Sequence, residues 1–196
     1  MKTRIASVAG CDYAAETYRH IAGKVFQNTL PADREYERII FYTPESMESD
    51  FRSWLPGERL IVQQGRDIGE RMANAIRDLF YEGASKSVIA GVDIPELDAE
   101  IVRGAFKKLD SADIVIGPAT DGGYYLIGMK SLHMEIFRNI LWSTEKVFTQ
   151  TIHAIDNLKL KYETLITLSD VDTLEDLMKF KGPRHWDRPA GNRATK

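Results

Sequence analysis

Residues 39–42, 60–62 and 88–92 are apolar at nearly every position, and proline, glycine or a charge lies just beyond each run. A strand with one wet face would alternate, so short uninterrupted runs fit strands covered on both faces. Between them lie longer stretches with apolar groups three and four residues apart. Ile68, Met72, Ile76, Leu79 and Phe80 within 67–83 share one helical face in this way. Strands alternating with helices of ten or more residues call for crossover connections, which stack helices on both faces of a parallel sheet. The pattern predicts an α/β sandwich.

The rest of the chain follows the same grammar. A helix is expected from Asp12, as its N-cap, through Ala14, Tyr18, Ile21, Ala22, Val25 and Phe26, with Pro31 just past its end. Strands are expected at 38–44, 59–65, 87–93, 113–119, 123–129 and around 162–168. Further helices fall at 98–110, near 145–157 and from Thr173. One domain over 1–181 accounts for all of them. The stretch 182–196 combines glycine, proline and basic residues, with little besides Trp186 to bury, and is expected to be a flexible tail.

A net charge of −3 gives no general surface for nucleic acid, so phosphate binding has to be local. The single cysteine, Cys11, excludes an intrachain disulfide and a cysteine-based zinc site, which makes a reducing cytoplasm the expected compartment. The apolar stretch before Cys11 is too short for a signal peptide, and no segment approaches the roughly 20 apolar residues of a membrane span.

In an open α/β sheet ligands sit beyond the carboxyl ends of the strands. Asp93 stands there, at the tip of "SVIAGVD". A turn or N-cap role is the plain reading, but Asp98 is better placed to cap the next helix. That leaves Asp93 to face the crevice. A hard cation such as Mg²⁺ needs only one or two carboxylates besides substrate phosphates. "SDVDTLED" (169–176) supplies Asp170 and Asp172, one of which can cap the helix while the other reaches the same cation. In "PATDGGYY", Asp121 and the paired Gly122–Gly123 fit either a tight hairpin or a close backbone approach to a ligand. Tyr124 and Tyr125 should alternate in direction, one of them toward the crevice. Lys2 and Arg4 are solvated charges unless a phosphate lies near them. No two of the four histidines have metal-ligand spacing.

Taken together, "QQGRDIGERMANAI", "GVDIPEL", "GPATDGGYYLIGM", "LWSTEKVFTQT" and "DVDTLEDL" occur in the order typical of a bacterial family of nucleotide-diphosphosugar transferases. The chain resembles this family from Lys2 to about Phe180. Some of its members are also called arsenosugar-biosynthesis glycosyltransferases. The resemblance implies a glycosyltransferase-A-like fold, with a mixed, mostly parallel sheet between helices. It also implies a divalent metal, Mg²⁺ or Mn²⁺. The partners it implies are a nucleotide or nucleotide-sugar and a small-molecule acceptor. By the family's motifs, Lys2, Thr3 and Arg4 match a phosphate-binding lysine-threonine-arginine motif, shared in similar form with phospholactate guanylyltransferases. Gln64, Gly65 and Arg71 match the nucleotide-holding loop. Asp93 and Asp172 match metal-binding positions. Asp121, Gly122, Gly123, Tyr124, Trp142 and Ser143 match the acceptor side. Family members normally open with an apolar strand and a Pro-Gly loop ahead of the lysine-threonine-arginine motif. No such strand precedes Lys2 in this sequence, so the sheet is expected to lack its near-central first strand and to expose unpaired backbone groups there.

The expected function is metal-dependent glycosyl transfer from a nucleoside diphosphate-sugar, with Asp93 and Asp121 as catalytic residues. The nearest alternative is nucleotidyl transfer from a nucleoside triphosphate to a phosphorylated small molecule. A third is nucleotide binding without catalysis.

Overall fold

The computed structural model of the chain describes residues 7–171, Thr173 and residues 175–177. Lys2, Thr3, Arg4, Asp172 and the expected tail 182–196 lie outside the described residues.

Helix α1 (Cys11–Asn28) leads to strand β1 (Ile39–Tyr42), and a short helix α2 (Glu48–Trp54) follows. Then come β2 (Arg59–Val62), α3 (Ile68–Tyr81), β3 (Ser87–Ala90) and α4 (Ala99–Lys108). Strands β4 (Ile114–Pro118) and β5 (Tyr124–Met129), helix α5 (Val147–Asn157) and β6 (Tyr162–Thr164) complete the order. Among the described residues no helix is long and apolar enough to cross a membrane. The expected elements are present with trimmed ends. One cap differs: α1 begins on Gly10, and Asp12 sits within its first turn. Asp67 and Asp98 do cap their helices, accepting from the backbone N–H of Glu70 and Ile101 at 2.8 and 2.9 Å.

The strands form two sheets. β1 and β2 pair in parallel, with Ile39 opposite Arg59 and Tyr42 opposite Val62. The larger sheet runs β3-β5-β4-β6; β4 and β6 are parallel, whereas β5 is antiparallel to both neighbours. The sheet is therefore mixed, as the resemblance implied, with less parallel pairing than strand–helix alternation alone suggests. The reason is local. Only residues 119–123 separate β4 from β5, too few for a crossover, so the chain turns back on itself. Thr120–Asp121–Gly122–Gly123 is the hairpin turn.

The ladder shifts register at Gly117/Pro118, where Pro118 pairs with Tyr124 and leaves Tyr125 as the extra residue of a bulge. Strict alternation is lost at that point. Tyr125 and Leu126 both join the core shared with α1 and α4, while Tyr124, Ile127 and Met129 pack toward α3 and α5. Gly117 makes room for the Tyr125 ring, which a Cβ would strike. Along β4, Ile114 and Ile116 face the α3 side and Val115 the α1 side, all three fully buried.

Among the described residues β1 pairs only with β2, and β3 only with β5. Their opposite edges border one gap in the sheet. A strand's side chains alternate between faces, so a cavity on one face would touch every second residue. The cavity of about 300 Å³ beside this gap touches every residue of 39–43 and of 88–92, which identifies its rims as strand edges.

Candidate functional site

The carboxyl ends of β2, β3 and β4 open into one cleft of about 1220 Å³. Asp93, Asp121, Arg71, Gly123, Trp142 and Ser143 all line it, so residues from four separate sequence motifs converge there.

Asp93 emerges from β3 half-buried, and its helix-capping alternative is taken by Asp98. Its carbonyl accepts a hydrogen bond from the Val171 N–H at 3.2 Å, which brings segment 169–171, with Asp170, beside it. Ser169 in turn is joined to Thr120 through their hydroxyls at 3.2 Å. The helix following this segment is capped by Thr173, whose hydroxyl accepts from the Asp176 N–H at 3.1 Å while the Asp176 carboxylate accepts from the Thr173 N–H at 2.9 Å. Together these bonds form a reciprocal capping box.

Arg71 lies in the first turn of α3, and its Nε donates to the Gly65 carbonyl at 3.2 Å. Gly65 holds φ at 143°, where a Cβ would collide with the backbone of Glu70 and Arg71. Gln64 and Gly65 do not line the cleft themselves; the Gly65 carbonyl fixes Arg71, and the neighbouring Gln63 lines the cleft instead. The Gln64 carbonyl accepts from the Asn74 amide at 2.8 Å.

In the hairpin turn, Asp121 accepts from the Gly123 N–H at 2.8 Å and remains exposed. Gly122, at φ 88°, lies against the backbone of Glu145, and its carbonyl accepts from the Phe148 N–H at 2.9 Å. Gly122 thus docks the turn onto the start of α5 rather than lining the cleft. Trp142 lies over Gly69 in the first turn of α3, where any side chain would overlap the indole. Its ring meets Tyr124 edge-on, with centroids 6.4 Å apart. Burial pushes the Tyr124 phenol pKa upward. The Tyr125 hydroxyl donates to the Ile166 carbonyl at 3.1 Å, and burial pushes its phenol up to about 12. Ser143 adopts a left-handed φ of 63° at the rim, an uncommon conformation for a residue with a side chain.

Tyr18 of α1, Gln63, Glu145 and Lys146 also line the cleft. Burial, and secondarily the charge of Asp93, raises the Tyr18 phenol pKa. Helical spacing marks Tyr18 as a core residue, and nothing in the local sequence distinguishes it from one. Ile68 was expected on the inner face of α3 but is 44% exposed and lines the cleft as well. Among the described residues no group of three histidine, cysteine or acidic side chains is arranged to hold a metal. The donor set suits a hard cation that takes one or two carboxylates here and its remaining ligands from phosphate and water.

Residues 26–144 match the family described as uncharacterized protein conserved in bacteria, DUF2064. No curated protein matches the chain significantly. Among solved structures, a provisionally named nucleotide-diphospho-sugar transferase from Desulfovibrio desulfuricans G20 is 37% identical, with a TM-score of 0.84 over 90% of this chain and 78% of its own. CMP:2-keto-3-deoxy-manno-octonic acid synthetase in complex with CTP is 10% identical, with a TM-score of 0.58 over 82% of this chain and 85% of its own. Rv0371c from Mycobacterium tuberculosis H37Rv, in complex with manganese, is 15% identical, with a TM-score of 0.53 over 83% of this chain and 84% of its own. The last two likenesses establish a shared fold.

Proposed function

The chain belongs to the DUF2064 family, and from that premise we propose that it is a metal-dependent transferase, a single catalytic domain over 1–181, that moves a glycosyl group from a nucleoside diphosphate-sugar to a small-molecule acceptor. The observation that carries this reading is the convergence of Asp93, Arg71, Asp121 and Gly123 on one cleft at the strand carboxyl ends. The name carried by the D. desulfuricans relative supports the donor class.

In this reading Asp93 and Asp172 would hold Mg²⁺ or Mn²⁺, which when bound would supply charge neutralisation for the departing nucleoside diphosphate. Arg71, Lys2 and Arg4 bind the phosphates, where an arginine offers a two-pronged fork. The Gly65 carbonyl holds Arg71 in place, and Gln64 ties the same loop to Asn74. The acceptor lies toward Trp142, Tyr124, Ser143 and the Gly122–Gly123 turn. Its hydroxyl attacks the anomeric carbon, the bond from that carbon to the diphosphate oxygen breaks, and Asp121 takes the hydroxyl proton.

Nucleotidyl transfer is the second reading, favoured by the fold shared with a synthetase that binds CTP. The same basic and acidic residues would then serve attack on the α-phosphate of a nucleoside triphosphate. Incubation with Mg²⁺ or Mn²⁺ and either nucleotide-sugars or nucleoside triphosphates separates the two. Release of nucleoside diphosphate supports glycosyl transfer, and release of pyrophosphate supports nucleotidyl transfer. Nucleotide binding with no turnover and no response to Asp93→Ala would leave binding alone.

A further inference from the structure

Helix α3 turns one stripe toward the large cleft. Ile68, Arg71, Met72 and Ala75, spaced as a single helical face, all line it, and Arg71 is the stripe's one charge. Ile68 opens the helix just ahead of Gly69, on which Trp142 rests, and Leu141 precedes Trp142 in the facing loop. Ile68, Leu141 and Trp142 are thus gathered at one end of the cleft. Ile68 is 44% and Leu141 55% exposed. Among the described residues the other exposed large apolar side chains, Leu30, Tyr81 and Ile166 among them, do not line the cleft. Apolar groups scattered singly over a surface need no explanation, but two beside an indole in a concave site are arranged as in a ligand pocket.

The loop's own polar groups are already engaged. The Leu141 N–H donates to Gln150 Oε1 at 2.7 Å, and the Leu141 carbonyl accepts from the Thr144 hydroxyl at 2.7 Å. The Trp142 N–H donates to the Ile140 carbonyl at 3.0 Å. The indole edge that carries Nε1, the ring's single donor, lies against Gly69. Backed by Gly69 and met edge-on by Tyr124, the indole is held in place before any ligand arrives.

These bonds decide which chemistry the patch suits. A ring bearing many hydroxyls would leave water here and find no replacement partner at 141–142, so each unmatched hydroxyl would weaken binding. A nucleobase is flat enough, but its polar edges meet the same lack of partners. An apolar group instead covers Ile68 and Leu141 and takes their surface out of water. Asp121, Glu145 and Lys146 line the same cleft, enough to orient a ligand with one hydroxyl.

We propose that Ile68, Leu141 and Trp142 form a subsite for an apolar group on the acceptor, so that the acceptor is a small alcohol with an aromatic or alkyl body rather than a free sugar. This rests on the reading of that half of the cleft as the acceptor side. The apolar body lies on the patch, and the hydroxyl is left to meet Asp121.

The test uses benzyl alcohol, which carries one hydroxyl on an aromatic body, and methyl α-glucopyranoside, which carries several on a saturated ring. The NMR signals of the Trp142 indole N–H and of the Ile68 and Leu141 methyl groups are the readout. Benzyl alcohol is expected to shift all three saturably, and the glucoside at the same concentration to leave them in place. Ile68→Ser with Leu141→Ser should weaken benzyl alcohol binding, read at the indole, by about 10-fold or more. Leu141→Ser alone, outside any helix, serves if the pair fails to fold. Equal shifts with the glucoside, no shift with benzyl alcohol, or unchanged affinity in the variant would overturn the proposal. So would stronger binding at these signals by any of the four common nucleoside monophosphates, since a nucleobase would then occupy the patch. The measurement needs neither donor nor metal, so it stands apart from the transferase reading, which a lack of nucleoside diphosphate release with every nucleotide-sugar would defeat.

Discussion

At the scale of single residues, Asp93 carries the greatest weight. Itself half-buried, it follows β3, whose Val88, Ile89 and Ala90 are half-buried too, cedes the helix cap to Asp98, and lies beside segment 169–171 through the Val171 bond to its carbonyl. Asp93→Asn keeps the shape and removes the charge, so turnover is expected to fall on the order of 10²–10³-fold. The metal-dependent part of a thermal shift with nucleotide-sugar should vanish with it; a shift that survives would remove Asp93 from the metal site. Gly69 offers a separate probe. Alanine there pushes the Trp142 indole off the first turn of α3, at a cost of about 1–3 kcal/mol. Chemical denaturation and Trp fluorescence should both register the change. Asp93 was legible in the sequence because a carboxylate closing an apolar run has no packing role. Tyr18 was not, because a tyrosine at helical spacing looks the same whether it meets core or cleft.

At the scale of elements, α3 fixes one wall of the cleft. Asp67→Ala removes the acceptor for the Glu70 N–H and should lower stability by about 0.5–2 kcal/mol in urea unfolding. The same turn has a pH response. The Arg66 side chain, and then its backbone N–H, hold the exposed Glu70 carboxyl down to about 2 from an ordinary 4.5. A carboxylate depressed on folding stabilises the fold above its unfolded pKa, and that contribution drains away as pH falls from about 4.5 through 2. NMR titration of Glu70 should show the low midpoint, and Arg66→Ala should move it upward, short of the ordinary value because the backbone N–H of residue 66 remains. The β4–β5 hairpin shows what pattern reading misses. Two apolar runs announced two strands, but the direction of β5 followed from the length of the turn, and the bulge at Tyr125 overrode the alternation that would have set its side chain opposite Leu126.

For the whole molecule, burial and ligand linkage set the expected behaviour. Ile116 is fully buried between the sheet and α3, so Ile116→Ala should cost about 2–5 kcal/mol. A nucleotide-sugar with Mg²⁺ or Mn²⁺ present at about 100 times its Kd should add about 2.7 kcal/mol by mass action. Differential scanning calorimetry checks both. The sequence by itself determined the α/β class, the helix cap at Asp98, and the candidates Asp93 and Asp121, because periodicity, capping and strand-end chemistry are written within a few neighbouring residues. Tertiary structure alone decided that Tyr18, Gln63 and Lys146 share their cleft, that Gly69 and Gly122 are spaces held for Trp142 and the Glu145 backbone, and that the edges of β1 and β3 face one another across a gap. Those relations join residues far apart along the chain, and only packing in three dimensions brings them into contact.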